Sequence, residues 1–400
     1  MSDLPESYFE QRIRSFYEEV DRTFRVSGCE PLGAQDIFFR LSRVATPFVE
    51  FSEIKRICAD VDRPALEPDE PSGHRRWPFA WARAANRYRQ IAERAEAEGH
   101  AVTAGRNYLR AALLAHSGQL FCRPQWPEKR ALQRERADCY LKAARFLGLE
   151  RLAIPYAAHQ IPAYLWLPKG VERPPLVIMC PGANSVKEEL HRWASAFVDR
   201  GMATLTFDGP GQGELSPYQG SRLPLRFECY HPVFTAIIDY AESALAARVD
   251  CSRTALWGQA TGGHLVTRAC EQEKRPVALV NLDGFPTLQS YPSLPPDVME
   301  EQRDALGFST FVETWRYLCE HGDAMPAAEH IDVPYLLIHG SRNDLAGNEA
   351  MDHLAKTIGP TATQMIFPDG NLGVFNWDFI MTDAMSDWLS DRLHPREPQA

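Results

Sequence analysis

The chain of 400 residues has no apolar run long enough to span a bilayer; runs such as "PLVIMC" and "VALVNL" are far too short. It has no excess of basic charge either. With 43 Lys and Arg against 53 Asp and Glu, the formal net charge is −10, which excludes the basic footprint that a nucleic acid or an anionic membrane surface requires. No C-x-x-C pair and no Cys/His cluster at metal-ligand spacing occurs. The nine cysteines (Cys29, Cys58, Cys122, Cys139, Cys180, Cys229, Cys251, Cys270, Cys319) stand singly, the pattern of reduced core thiols in a cytoplasmic protein. The opening "MSDLPESYFEQRIRSF" contains acids and no apolar h-region, so it does not read as a signal peptide. "GPGQG" lacks the spacing and the Lys-Ser/Thr of a phosphate-binding loop. The expectation is a chain with no cofactor and no metal, whose partner is a small-molecule substrate, with a homodimer left open.

What is present divides near residue 150. Up to there the chain is rich in helical periodicity: "WARAANRYRQIAERAEAEG", "TAGRNYLRAALLAHSGQLF" and "EKRALQRERADCYLKAARFLG" repeat apolar or alanine positions at three and four, separated by proline-bearing breaks. Residues 1–150 therefore read as a helical domain without strands of its own. From Leu152 the rhythm changes. "RLAIPYAAHQIPAYLWLP" reads as an antiparallel pair, and then short apolar runs alternate with helices: "PLVIMC", "MATLTFD", "TALW", "VALVNL", "PYLLIHG", "TQMIFPDG". Such alternation implies an α/β fold, a mostly parallel sheet covered on both faces, over residues 151–394. Residues 395–400 are left as a tail.

The stretch "LWGQATGGHLV" has the strand–turn–helix layout of a nucleophile elbow, G-x-S-x-G, but reads Gly258, Gln259, Ala260, Thr261, Gly262. Together with "CPGANSVKEEL", "FDGPGQGE" and "HGSRND" in that order, and with "VTAGRNYLRAA" in the helical front, it makes the chain resemble the α/β-hydrolase superfamily. It is similar to the subgroup with an N-terminal helical cap that includes 2,6-dihydroxypseudooxynicotine hydrolase, the fermentation-respiration switch protein and fungal hydrolases that shorten polyketide pigment precursors. The resemblance covers about Leu152 to Leu393. It implies an oxyanion hole built from the amides of Ala183 and Thr261, a substrate pocket between cap and core, and a triad in the order Ser, Asp, His.

The triad residues do not follow. Ala260 stands at the serine position, Asn343 or, with a loop one residue longer, Asp344 at the acid position, and Leu372 at the histidine position. A methyl group cannot attack a carbonyl, and a leucine cannot accept a proton. Loss of the whole set typically costs on the order of 10⁶ in rate, so acyl-enzyme hydrolysis is not expected. Other candidates for the pocket are Asn184, Asp283 after a strand at the carboxyl edge, and Asn376 and Trp377 after the missing histidine. His264 reads first as a core histidine, Asp208 as a loop organiser, and Glu188 and Glu189 as acids of a helix N-terminus. Three functions remain open. One is a non-hydrolytic enzyme (cyclisation, pericyclic step, elimination or isomerisation) acting on a polyketide-like or aromatic ketone in secondary metabolism. The others are a pseudoenzyme serving as a binding or regulatory protein, and an ester or C–C hydrolase whose serine has been replaced.

Overall fold

The computed structural model describes residues 4–23, 48–63, 66, 71, 73–221, 223–294, 296–343 and 346–394. Cys29, Asp344 and the tail 395–400 lie outside the described residues. Internal contacts divide the chain into two units. The first comprises Met1–Gly148, Pro295–Asp304 and Ser309–Val312; the second comprises Leu149–Leu294, Ala305–Phe308 and Glu313–Ala400.

The first unit is helical: α1 (Glu6–Thr23), α2 (Phe51–Asp62), α3 (Trp77–Ala97), α4 (Ala101–Gln119) and α5 (Pro127–Leu147). Pro78 and Pro127 sit in the first turns of α3 and α5, where a missing N–H costs nothing. Gly99 and Gly148 follow α3 and α5 with positive φ, as helix stops do. The core gathers Trp77, Trp81 and Phe121, and the Trp77 indole N–H donates to the Ser117 carbonyl at 2.9 Å.

Residues 295–304 and 309–312, which composition alone places with the strands, belong to this helical unit. The reason is chemical. The buried Lys129 ammonium reaches Glu301 at 2.5 Å, Glu6 accepts from the backbone N–H groups of Phe311 and Val312, and Phe9 stacks on Phe311 at 6.0 Å.

The second unit is built on one eight-stranded sheet. Its strands are β1 (Leu149–Tyr156), β2 (His159–Trp166), β3 (Pro175–Cys180), β4 (Ala203–Phe207), β5 (Asp250–Gln259), β6 (Ala278–Leu282), β7 (Tyr335–Gly340) and β8 (Ala362–Phe367), in the order β1-β2-β4-β3-β5-β6-β7-β8. β1 and β2 form the antiparallel pair, β2 runs antiparallel to β4, and the remaining pairs are parallel. Every residue of β3, β4, β6 and β7 is buried. That is why these runs are continuously apolar rather than alternating. The helices of this unit include α6 (His191–Asp199), α7 (His231–Tyr240), α8 (Thr261–Ala269), α11 (Asn348–Ile358) and α12 (Asp378–Leu393); α9 (Pro296–Leu306) belongs to the first unit but for its last two residues, and α10 (Phe311–His321) to the second but for its first two.

This is the α/β-hydrolase fold. Its chain order reverses at β3, with β4 on one side and β5 on the other, and a crevice opens at the carboxyl ends of strands where such a reversal occurs. Among the described residues no helix is long and apolar enough to cross a membrane, and eight cysteines are free thiols.

Candidate active site

The elbow survives in full. Ala260, between β5 and α8, has φ 48° and ψ −116°, a region that a residue with a Cβ adopts at a cost of order 1–3 kcal/mol. Its N–H donates to the Leu282 carbonyl at 2.8 Å, and its own carbonyl accepts from the His264 N–H at 3.1 Å. The flanking glycines are steric necessities. A Cβ on Gly258 would lie 2.2 Å from the Gly262 carbonyl oxygen, and one on Gly262 would lie 2.3 Å from that of Cys180. The strain at Ala260 has a direct test. Ala260→Gly is expected to raise stability by about 1 kcal/mol, the relieved strain exceeding the added unfolded-state entropy. A lower urea midpoint in the variant would show that the alanine methyl group packs favourably.

The loop after β3 meets the elbow. A Cβ on Gly182 would stand 3.6 Å from the Ala260 Cβ and 3.3 Å from the Gln259 carbonyl oxygen, so Ala183, half-buried, follows directly on the contact. Thr261 opens α8, where backbone N–H groups have no partner inside the helix. Gln212 of the "DGPGQGE" loop holds the approach in place. Its side-chain amide donates to the carbonyls of Pro181 at 2.8 Å and Gly182 at 3.0 Å. Asn184, like Ala183, is half-buried.

Asp208 organises the same loop. It accepts from the Lys187 backbone N–H at 2.8 Å, from the Lys187 ammonium at 2.7 Å and from the Glu214 N–H at 3.0 Å. The Lys187 ammonium also contacts Glu188 at 2.7 Å and reaches Glu214, so the carboxylates of Glu188, Asp208 and Glu214 converge on one buried ammonium. Glu188 and Glu189 are not in a helix, since α6 starts at His191. Glu189 instead accepts from the Ser185 hydroxyl at 2.6 Å.

On the other side of the elbow, sheet register sets the geometry. Gln259, Leu282 and Ile338 are consecutive partners across β5, β6 and β7, so Ala260, Asp283 and His339 form the next row. At about 4.8 Å per strand, the His339 backbone stands about 10 Å from that of Ala260. Asp283 is buried with φ 58°, and His339 Nδ1 lies 2.7 Å from its Oδ1. The other carboxylate oxygen, Oδ2, accepts from the Gly373 N–H at 2.6 Å. Leu372, half-buried, is the residue before that glycine. A Cβ on Gly340 would lie 2.4 Å from the Asn371 carbonyl oxygen, so the loop that carries Leu372 presses on the end of β7.

Asn376 and Trp377 do not join this group. Asn376 is exposed, and its amide bridges Asn371 and Asp369 within its own loop; the Trp377 indole donates to the Pro368 carbonyl. Asn343 is buried and turns back on Gly340 through its N–H. His264 is a core histidine bonded at one nitrogen: Nδ1–H donates to the Phe285 carbonyl at 2.7 Å. Burial pushes its pKa down to about 3. Nothing in the sequence flagged His339, which appeared there only as part of the landmark "HG".

Among curated proteins, the chain is 29% identical over 321 residues to 2,6-dihydropseudooxynicotine hydrolase of Paenarthrobacter nicotinovorans, covering 79% of this chain and 84% of that one. It is 32% identical over 230 residues to hydrolyase poxO of Penicillium oxalicum and 30% identical over 251 residues to 20-hydroxy-prefusarin hydrolase FUS2 of Gibberella moniliformis. The match spans about half the length of these fungal relatives, 53% and 56%. Among solved structures, that of 2,6-dihydroxy-pseudo-oxynicotine hydrolase superposes with a TM-score of 0.77 at 27% identity, covering 89% of this chain and 96% of the other. The AbyA5 wild-type structure, at 17% identity and a TM-score of 0.67 over 90% and 99% of the two chains, shares the fold. Residues 69–285, more than half of the chain, match the family model described as esterase FrsA-like, and the chain belongs to that family of α/β-hydrolases.

Proposed function

We propose that this family member lacks a working Ser-His-Asp triad and catalyses a non-hydrolytic step on a polyketide-like or aromatic ketone: a cyclisation, a pericyclic step, an elimination or an isomerisation. The observation that carries this reading is the backbone of Ala260, held at φ 48° and ψ −116° with no nucleophile to present. What the strained turn still supplies is the amide of Thr261, beside the loop of Ala183. Donors of this kind contribute about 2.7 to 4 kcal/mol to a reaction that develops charge on a carbonyl oxygen. Holding the reacting ends together contributes about 7 to 11 kcal/mol more. The names of the relatives, hydrolases of an aryl ketone and of fungal metabolites, support the substrate class, and fold alone does not fix the reaction.

Two measurements test it. With 2,4-dihydroxyacetophenone carrying a ¹³C carbonyl, binding should move the carbonyl resonance downfield, as expected for an oxygen held by two amides; an unmoved resonance overturns the reading. With p-nitrophenyl acetate, the wild-type chain and Ala260→Ser should give no turnover above background. The double variant Ala260→Ser/Leu372→His should gain it, since only that pair restores both nucleophile and base. Saturable ester hydrolysis by the wild-type chain would return it to the ordinary hydrolases.

A further inference from the structure

The Asp283–His339 pair is the group of the site that still has chemistry to offer. A carboxylate oxygen accepts, so the 2.7 Å contact places an imidazole N–H on Nδ1. With that tautomer Nε2 is the atom that can offer a lone pair. That atom is buried and has no hydrogen-bond partner among the described residues, and a buried acceptor left without a donor is costly. A donor brought by a ligand would satisfy it.

The pair is also held under strain. Six non-glycine residues among those described have positive φ, and four of them, Ala260, Asp283, Asp369 and Val374, lie at the ends of β5, β6 and β8 or in the loop that donates to Asp283. For a β-branched residue such as Val374 this is a genuine outlier, and such strain clusters at working sites.

We infer that His339, oriented by Asp283, is the general base of this site and stands in for the histidine absent at position 372. The inference rests on the proposed non-hydrolytic reading. His339 Nε2 takes a proton from the carbon next to the substrate carbonyl, and the electron pair of that C–H bond moves onto the carbonyl oxygen as an enolate, facing the amides of Ala183 and Thr261. Return of the proton from the imidazolium to another carbon gives an isomer with no atom gained or lost. Asp283 is a positioning residue: it sets the tautomer and stabilises the imidazolium, as the carboxylate of a triad does.

The experiment follows deuterium entering the methyl group of the same ¹³C-labelled 2,4-dihydroxyacetophenone in D₂O, by NMR. The wild-type chain is expected to accelerate exchange at least 100-fold over buffer, within the range of general-base catalysis. Both His339→Gln and Asp283→Asn should lose that acceleration while the carbonyl shift persists. A carbonyl shift without exchange in the wild-type chain, or exchange undiminished in a folded His339→Gln, overturns the dyad and leaves the site reading standing. No carbonyl shift overturns both. Should the variants fail to fold, the wild-type chain decides alone: the ¹⁵N resonance of His339 Nε2 moves when the probe is added, and an unmoved resonance overturns the inference.

Discussion

Lys187→Met is expected to lower the free energy of unfolding by about 3 to 5 kcal/mol, the usual consequence of removing one partner from a buried ion network. The ammonium is fully buried, as are the carboxylates of Glu188 and Asp208, while Glu214 is partly exposed and also pairs with Arg151. Methionine keeps the length of the stem and removes the charge. Three carboxylates then face one another without the ammonium on which they converged, and their ligand oxygens lie within 4.8 Å of one another. Urea denaturation reads the loss. Millimolar calcium should restore part of it in the variant and none in the wild-type chain, because the three oxygens suit a hard cation once the ammonium has gone. Asp208→Asn should cost less, since the asparagine oxygen retains one of the two backbone N–H partners. A Lys187→Met chain as stable as the parent would mean that the cluster is no better than an apolar core.

The second large effect is on acid stability. Burial pushes the pKa of His264 down to about 3 and that of His191 to about 4, from an ordinary 6.5. Both stay neutral when folded, while the unfolded chain takes up their protons as pH falls below 6.5. Their contribution is therefore fully present above 6.5 and declines as pH falls, until the folded form titrates as well. At pH 5 each should have lost about 2 kcal/mol, so the pair loses about 4 relative to pH 7. Urea midpoints between pH 7 and 5 measure this, and unfolding at pH 5 should take up close to two protons. His264→Gln should remove about half of the pH dependence. A flat stability profile over that interval would mean that one or both rings are charged in the folded protein.

The sheet was legible because parallel strands buried on both faces leave continuous apolar runs, and "PLVIMC" and "PYLLIHG" match β3 and β7 to within a residue. The elbow was legible for a different reason: its glycines meet backbone at distances no Cβ tolerates, so their spacing is dictated by geometry. Asp283 could be placed at the carboxyl edge, but its partner could not. His339 stands 56 residues away, and only the register of β6 against β7 brings the two together. Lys187 was hidden in the same way. "KEEL" looks like a helix start, and the cluster that gathers its charges depends on a glycine loop more than 20 residues downstream. The helical excursion, residues 295–304 and 309–312, groups with the helical unit rather than with the strands, which the sequence does not show because an amphipathic helix reveals that it has an apolar face and not what covers it.

That excursion also bears on how the chain is made. Glu301, which neutralises the buried ammonium of Lys129, and Phe311, which stacks on Phe9, are the last pieces of a unit that otherwise ends at Gly148. A ribosome adding about 5–20 residues per second delivers them roughly 10 to 30 s after the first 148 residues are out. During that interval the Lys129 ammonium has the carbonyls of Gln119 and Cys122 within reach, while the carboxylate of Glu301 has yet to be made. The helical unit is thus completed only after six strands of the sheet have been made, and a fragment ending at residue 150 should be less stable than the same helices in the full chain.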